Sequence, residues 1–169
     1  VRTEVACRFA PGQDSVGFET GPYDPRLPLI IDPVLEFSTY LGGNGEDVIT
    51  SVASDSAGNI YVGGFTASAA SQPFPVNANA MDPAYGGGYD AFLTKLNSTG
   101  SQILFSTYLG GSGWDGINTL LLDAAGNIYA GGTTRSRAFP TTPNAYSQTA
   151  SETGVGFLLK MSPDGSQLL

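Results

Sequence analysis

An all-β fold, made of four-stranded antiparallel units in tandem, is the architecture this sequence predicts. Three features predict it. A long segment repeats: Phe37-Ser-Thr-Tyr-Leu-Gly-Gly43 returns as Phe105-Ser-Thr-Tyr-Leu-Gly-Gly111, and Asp55-Ser-Ala-Gly-Asn-Ile-Tyr61 returns as Asp123-Ala-Ala-Gly-Asn-Ile-Tyr129, both 68 residues on. Within each copy the apolar residues alternate with period two over strand-length runs, and no segment keeps a helical period. The runs are bounded by Gly-containing turn signals rather than by helix caps.

The duplication is secure. Aligning 37–68 with 105–136 without gaps gives 20 identities in 32 positions. The register then continues after a deletion of three residues: Phe92-Leu-Thr-Lys95 matches Phe157-Leu-Leu-Lys160, and Gly100-Ser-Gln-Ile-Leu104 matches Gly165-Ser-Gln-Leu-Leu169, each 65 apart.

Taken in order, residues 1–20 read as the last strands of a preceding β-rich domain. Cys7 there reads as a small buried hydrophobe on a strand. The prolines make 21–33 an extended connector. Residues 34–169 hold about two repeats, the first about 35–103 and the second about 104–169. In each repeat strand a spans 49–54 or 117–122, strand b Asn59–Thr66 or Asn127–Thr134, and strand c Ala91–Leu96 or Gly156–Met161. Strand d spans Ile103–Leu109, with an earlier copy at Leu35–Leu41. In that strand Ile103, Phe105, Thr107 and Leu109 share one face, and Ser106 and Tyr108 the other.

The a–b and c–d turns carry Asp, Asn or Ser first and Gly fourth, the chemistry of a type I turn followed by a residue with φ > 0. Gly58, Gly100, Gly126 and Gly165 are therefore expected to be left-handed. Phe37, Phe105, Ile60, Ile128, Phe92 and Phe157 recur at matching apolar positions and are expected to be buried between units. Lys95 and Lys160 recur on strand c, which predicts an ion pair to Asp55 or Asp123 across units.

Four antiparallel strands per unit, in tandem, are blades of a β-propeller. Phe-Ser-Thr-Tyr-Leu-Gly-Gly, Asp-x-x-Gly-Asn-Ile-Tyr, Phe-Pro and Asp90-Ala-Phe-Leu-Thr-Lys-Leu-Asn97, in that order, resemble the SBBP repeat of bacterial proteins, whose name refers to a seven-bladed β-propeller. The resemblance covers roughly 34–169. Tyr23-Asp-Pro25 and Pro28-Leu-Ile-Ile-Asp-Pro33 resemble the connector that leads into the first blade of such proteins. Acidic pairs commonly follow Gly-Gly-x-Gly in them. Here one copy has Glu46-Asp47 and the other Trp114-Asp115.

Composition narrows the function. Seven Lys and Arg stand against fifteen Asp and Glu, for a net charge of −8. That leaves no basic stripe for nucleic acid or for an anionic membrane. No apolar run is long enough for a membrane-spanning helix. The absence of histidine removes Ser-His-Asp and Cys-His nucleophilic sites and His-ligated zinc. The single cysteine, Cys7, forms no intramolecular disulfide. The chain opens on Val1 without a signal-peptide pattern and reads as a processed or excised piece. Low charge and abundant Gly, Ser, Thr and Asn fit an extracellular or cell-surface setting.

In an up-and-down blade the tight Gly turns share one rim. The other rim carries the d–a corners Gly42–Asp47 and Gly110–Asp115 and the long b–c loops. That long-loop rim is the expected ligand or partner surface, through Trp114, Glu46, Asn44, Tyr85 and Tyr89. The alternative reading there is rim packing and tight corners. Asp47 and Asp115 are candidate calcium ligands; no other cofactor and no catalytic residue is expected. Asn97-Ser-Thr99 is a glycosylation sequon.

A non-enzymatic structural, adhesion or assembly module is the expected function. The alternatives are a propeller that binds carbohydrate or a cell-surface protein and, behind it, a metal-dependent enzyme. The strand order runs d, a–b–c–d, a–b–c, so the ends are out of phase. The expected partners are further blades of the same chain or other copies of itself, joined by strand addition along an edge that involves Phe37, Tyr40, Leu41, Leu168 and Leu169.

Overall fold

The computed structural model describes residues 5, 7–11, 16–27, 36–69, 71–77 and 80–169. The chain divides into two units, Val1–Leu35 and Glu36–Leu169. In the first, β1 (Cys7–Pro11) and β2 (Val16–Thr20) pair antiparallel, with Cys7 opposite Thr20. Asp24 follows in a turn that its own side chain builds. The Asp24 carboxylate accepts from Arg26 backbone N–H at 3.0 Å and from both ends of the guanidinium, at 2.9 and 2.8 Å. Residues 28–33 of the predicted connector, and Leu35, lie outside the described residues.

The second unit is all β, with no helix among its described residues, so none there is long and apolar enough to cross a membrane. One sheet runs in the order β3 (Asp47–Ser54), β4 (Ile60–Thr66), β5 (Asp90–Leu96), β6 (Ile103–Leu109). The other runs β7 (Asp115–Leu122), β8 (Ile128–Thr134), β9 (Val155–Met161). All neighbours are antiparallel. These are the predicted a–b–c–d and a–b–c sets, two propeller-type blades.

Strand a starts two residues before its predicted bound in both blades. A bulge explains it: the β3–β4 register slips between Ile49 and Ser51, and the β7–β8 register between Ile117 and Thr119. The extra residue breaks the alternation near the start of the strand, so simple period-two reading misses the two residues that open it. The four turn glycines have φ of 79° (Gly58), 65° (Gly100), 82° (Gly126) and 71° (Gly165), as their turn chemistry requires. Asp55 and Asp123 each cap their own turn with side-chain oxygens, accepting from backbone N–H two and four residues on.

The blades meet face to face. Tyr61, Ala91, Leu93 and Leu109 of the first pack with Ile117, Leu120, Ile128, Ala130, Leu159 and Met161 of the second, and Phe105 and Phe157 join at the border. Burying one such side chain stabilises by about 1.5–3 kcal/mol. Strand a adds polar links: Thr50 Oγ1 donates to the Ile117 carbonyl, and Leu120 N–H donates to Ser51 Oγ at 2.9 Å. A second cluster (Val62, Phe74, Phe92 and Tyr108) lies apart, with Ile60 and Leu41 against it. The two clusters follow the two faces of the first blade, since successive strand residues point to opposite sides.

Three expectations need correcting. Residues 36–41 form no strand; Tyr40 is fully exposed and Phe37 is 38% exposed rather than buried. A strand needs a neighbour for its backbone groups, and among the described residues no c strand stands beside this segment. Phe37 still lies over the c–d turn of the first blade. A Cβ on Gly100 would fall 2.4 Å from its ring, just as one on Gly165 would fall 2.6 Å from the ring of Phe105. Next, Ile60 and Phe92 belong to the second cluster, so they are not packed between these two blades. Finally, the Lys95–Asp55 (3.3 Å) and Lys160–Asp123 (3.7 Å) pairs lie within a blade. Each lysine crosses the neighbouring strand over a tyrosine ring, Tyr61 at 4.6 Å or Tyr129 at 5.2 Å, to reach the a–b turn.

The second blade has the start of its fourth strand. Leu168 bridges Met161, and Leu169 N–H donates to the Lys160 carbonyl at 2.9 Å. This repeats the Leu96–Ile103 pairing of the first blade.

Candidate functional site

The long-loop rim is built on two copies of one corner. After strand d the chain turns through Gly-Gly-x-Gly and enters strand a at an aspartate. Asp47 Oδ2 accepts from Gly43 N–H (2.8 Å) and Ser68 Oγ (2.9 Å), and Oδ1 from Thr66 Oγ1 (2.5 Å). Asp115 repeats this with Gly111 N–H (2.9 Å), Ser136 Oγ (2.6 Å) and Thr134 Oγ1 (2.5 Å). The serine hydroxyl also accepts from the last glycine, Gly45 or Gly113, at 2.8 Å in both copies.

One carboxylate thus joins the d–a corner to the end of strand b and the root of the b–c loop. Charge-assisted bonds of this kind are about twice as strong as neutral ones. The glycines are required by crowding. A Cβ on Gly43 would meet the Gln72 carbonyl oxygen, and one on Gly113 the Arg135 carbonyl oxygen.

Asp47 and Asp115, the calcium candidates, therefore serve separate corners, one to a blade. Their oxygens are engaged by protein N–H and O–H donors, whereas calcium takes 6–8 oxygen ligands. Among the described residues no group of three or more cysteines, aspartates and glutamates is placed to hold a metal ion.

Three of the predicted partner-surface residues do come together. Tyr89 O–H donates to Glu46 Oε2 at 2.9 Å, which raises the pKa of Tyr89, with the carboxylate charge adding to it. Phe65 lies edge-on to Tyr89 (5.7 Å between ring centres) and tilted against Trp114 (5.4 Å). The backbones of Tyr89 and Trp114 form a parallel bridge. Trp114 also leans over Gly116, where a Cβ would fall 2.8 Å from its ring. Tyr89 and Trp114 are half-buried, and Glu46 is exposed. The result is a small aromatic patch, with an acid at its edge, where the two blades meet at the rim.

Asn44 and Tyr85 are elsewhere. Asn44 Nδ2 donates to Ser71 Oγ at 2.6 Å. Tyr85 O–H donates to the Gly88 carbonyl at 2.5 Å, and its ring lies 6.0 Å from that of Tyr108. Burial, with the charge of Asp90 second, raises the pKa of Tyr85. The strand-edge residues Phe37, Tyr40 and Leu41 lie at the opposite end of the second unit from Leu168 and Leu169 in the order of strands. Tyr40 and Leu41 help line a cleft of about 200 Å³ with Pro75, Leu96 and Gly100.

Sequence reasoning missed Thr66, Ser68, Thr134 and Ser136, although Thr-x-Ser recurs at the same 68-residue offset. It also missed Asp90. This residue stands in a quoted motif, but its role depends on what faces it in space.

A family model described as a β-propeller repeat, SBBP, matches residues 36–69, from the lead-in of the first corner to the end of strand b. No curated protein matches the chain. The matched stretch contains the Gly42–Asp47 corner, β3 and β4, and 20 of its 32 residues from Phe37 to Ser68 recur identically in the second blade. Fold and corner together define a β-propeller-type repeat module.

Proposed function

We propose that this chain is a non-catalytic extracellular scaffold whose blades associate with further blades, in a structural, adhesive or assembly role. The observation that carries the reading is the set of apolar residues left uncovered at positions that the blade–blade contact buries. Ala53, Tyr61, Gly63 and Leu93 of the first blade lie under the second. Their equivalents in the second are Leu121, Tyr129, Gly131 and Leu158, of which Leu121 is 67% and Leu158 81% exposed. At the other end Ile49 and Val52, equivalents of the buried Ile117 and Leu120, are 47% and 62% exposed.

Ile117 and Leu120 seat on Gly63, where a Cβ would fall 2.9 and 3.2 Å from their side chains. By the same rule, Ile49 and Val52 of one blade pair seat on Gly131 of another. Head-to-tail contacts of this kind close a ring or extend as a filament. The same alternatives apply to residues 37–41 adding to the free edge of β9 in the register that Phe105–Leu109 takes on β5, with Phe37 beside Lys160.

The non-catalytic part of the reading is supported by the chemistry of the rim. Its repeated carboxylates are committed to holding loops, and no histidine is present to move protons. The low charge supports the extracellular setting. Self-association tests the proposal. Immobilised chain should bind soluble chain, and Leu158→Glu in both the immobilised and the soluble chain should weaken that binding at least tenfold. A chain that stays monomeric with this face uncovered would sink the reading.

The Tyr89–Phe65–Trp114 patch beside Glu46 favours one second reading, a rim that stacks a sugar ring while the acid accepts a hydroxyl. Binding on a glycan array that disappears in Trp114→Ala supports it; an array without signal removes it.

A further inference from the structure

Where strand c of the first blade begins beside strand a of the second, two aspartates point into the same space. Asp90 is 1% exposed and Asp115 is fully buried. A Cβ on Gly110 would lie 2.8 Å from Asp115 Oδ2 and 2.9 Å from Asp90 Oδ1, so both oxygens crowd the same side of one glycine. The strands are tied there through backbone as well: Asp115 N–H donates to the Tyr89 carbonyl at 2.6 Å, and Tyr89 N–H donates to the Gly113 carbonyl at 3.1 Å.

The two carboxyl groups differ in what surrounds them. Asp115 accepts from three protein donors. Asp90 has one donor, Gly86 N–H at 2.6 Å on Oδ2, while its buried Oδ1 has no partner among the described residues. A buried carboxylate oxygen without a donor is costly, and a second carboxylate beside it adds repulsion.

Among the described residues no cation offsets this pair. The charged and titratable groups that act on Asp90 are Asp115 on β7 and Asp82 of the b–c loop. Asp90 in turn acts on Tyr85 of that loop and Tyr108 on β6. The neutralising species must be small, because glycine is the neighbour, and it must be satisfied by few ligands.

We infer that Asp90 is held as the neutral acid, its proton on Oδ1 towards Asp115, and that this carboxyl pair is a pH-sensitive latch between the blades. Loss of the proton places a second negative charge in a buried junction and weakens it. Burial, ahead of the Asp115 and Asp82 charges, pushes the pKa of Asp90 up to about 7. The sign follows from linkage. The unfolded value is about 3.9, so the native state binds the extra proton between about pH 4 and 7. The stabilisation is fully present below pH 4, is lost as pH rises through about 7, and is flat beyond. The second blade carries Val155 where the first has Asp90, so the latch belongs to this junction alone among the described residues.

Carboxyl carbon NMR on the wild-type chain reads the proton directly. Asp90 should titrate near pH 7, far above Asp55 and Asp164, which are each held down at about 2. Thermal melting from pH 4 to 9 reads the latch: the wild-type midpoint should fall between about pH 4 and 7 and level off above it, and Asp90→Asn should remove that fall. Three results would overturn the inference. They are titration of Asp90 below pH 5, an identical pH dependence in Asp90→Asn, and stabilisation of the wild type but not Asp90→Asn by added calcium, which would make the neutralising species a metal ion. The NMR arm stands if Asp90→Asn does not fold.

Discussion

Gly126 and Gly165 occupy equivalent kinds of turn, yet their surroundings differ. Both are left-handed, at φ 82° and 71°; a Cβ on Gly126 would meet nothing closer than Pro163 at 3.6 Å, but one on Gly165 would lie 2.6 Å from the Phe105 ring. Gly126→Ala should therefore cost about 1–2 kcal/mol from left-handed strain alone, and Gly165→Ala measurably more, in paired urea unfolding. Equal costs would mean that the Phe105 contact carries no weight. Asp55 offers a second test. The Asn59 side-chain hydrogen bond, with Asn59 N–H and Lys95 assisting, holds its pKa down at about 2. A depressed carboxylate gives stability that is present above the unfolded value of about 3.9 and lost as pH falls towards 2. Asp55→Asn should lower the melting midpoint at pH 8, flatten its fall in that acid window and converge on the wild type near pH 2. Turn chemistry at both residues was legible from Asp-x-x-Gly-Asn. The partner of Lys95 was legible as a residue, but its place within a blade was not, because the lysine reaches it over a tyrosine of the intervening strand.

At the scale of elements, the strands were readable wherever alternation was unbroken, and β6 spans the residues its pattern predicts. Strands a were readable except for the two residues that open each of them, next to the bulges. The segment 37–41 failed for a different reason: it has the composition of a strand identical to Phe105–Leu109, and lacks a neighbour to make it one. Composition sets what a segment is fit for, and pairing decides what it forms. The corners were readable as tight turns from Gly-Gly-x-Gly, but the Asp–Thr–Ser clamp joins residues about 20 apart and needs the b–c loop root in place. Asp115→Ala should strand the Gly111 N–H and two hydroxyls in a buried corner, costing about 2–4 kcal/mol. Hydrogen exchange should quicken at Gly111 and across 134–137. The same change at the half-buried Asp47 should cost less, and an equal cost would argue that burial does not set the strength of the clamp.

For the whole molecule, the repeated units and their tandem order were plain in the sequence, since a 68-residue duplication cannot be mistaken. Which face meets which was not, because alternation names two faces and leaves their partners open. The structure resolves that by burying Leu93 between blades at 0% exposure and leaving Leu158, the same position one blade on, at 81%. This contrast is the centre of the account: equivalent residues differ only in whether another blade covers them. The direct test is urea unfolding of Leu93→Asp and Leu158→Asp at concentrations where the chain is monomeric. Leu93→Asp places a charge in the blade–blade core and should cost more than about 3 kcal/mol, whereas Leu158→Asp should change stability by no more than about 0.5 kcal/mol. Equal losses, or a silent Leu93→Asp, would contradict the face-to-face packing on which the scaffold reading rests.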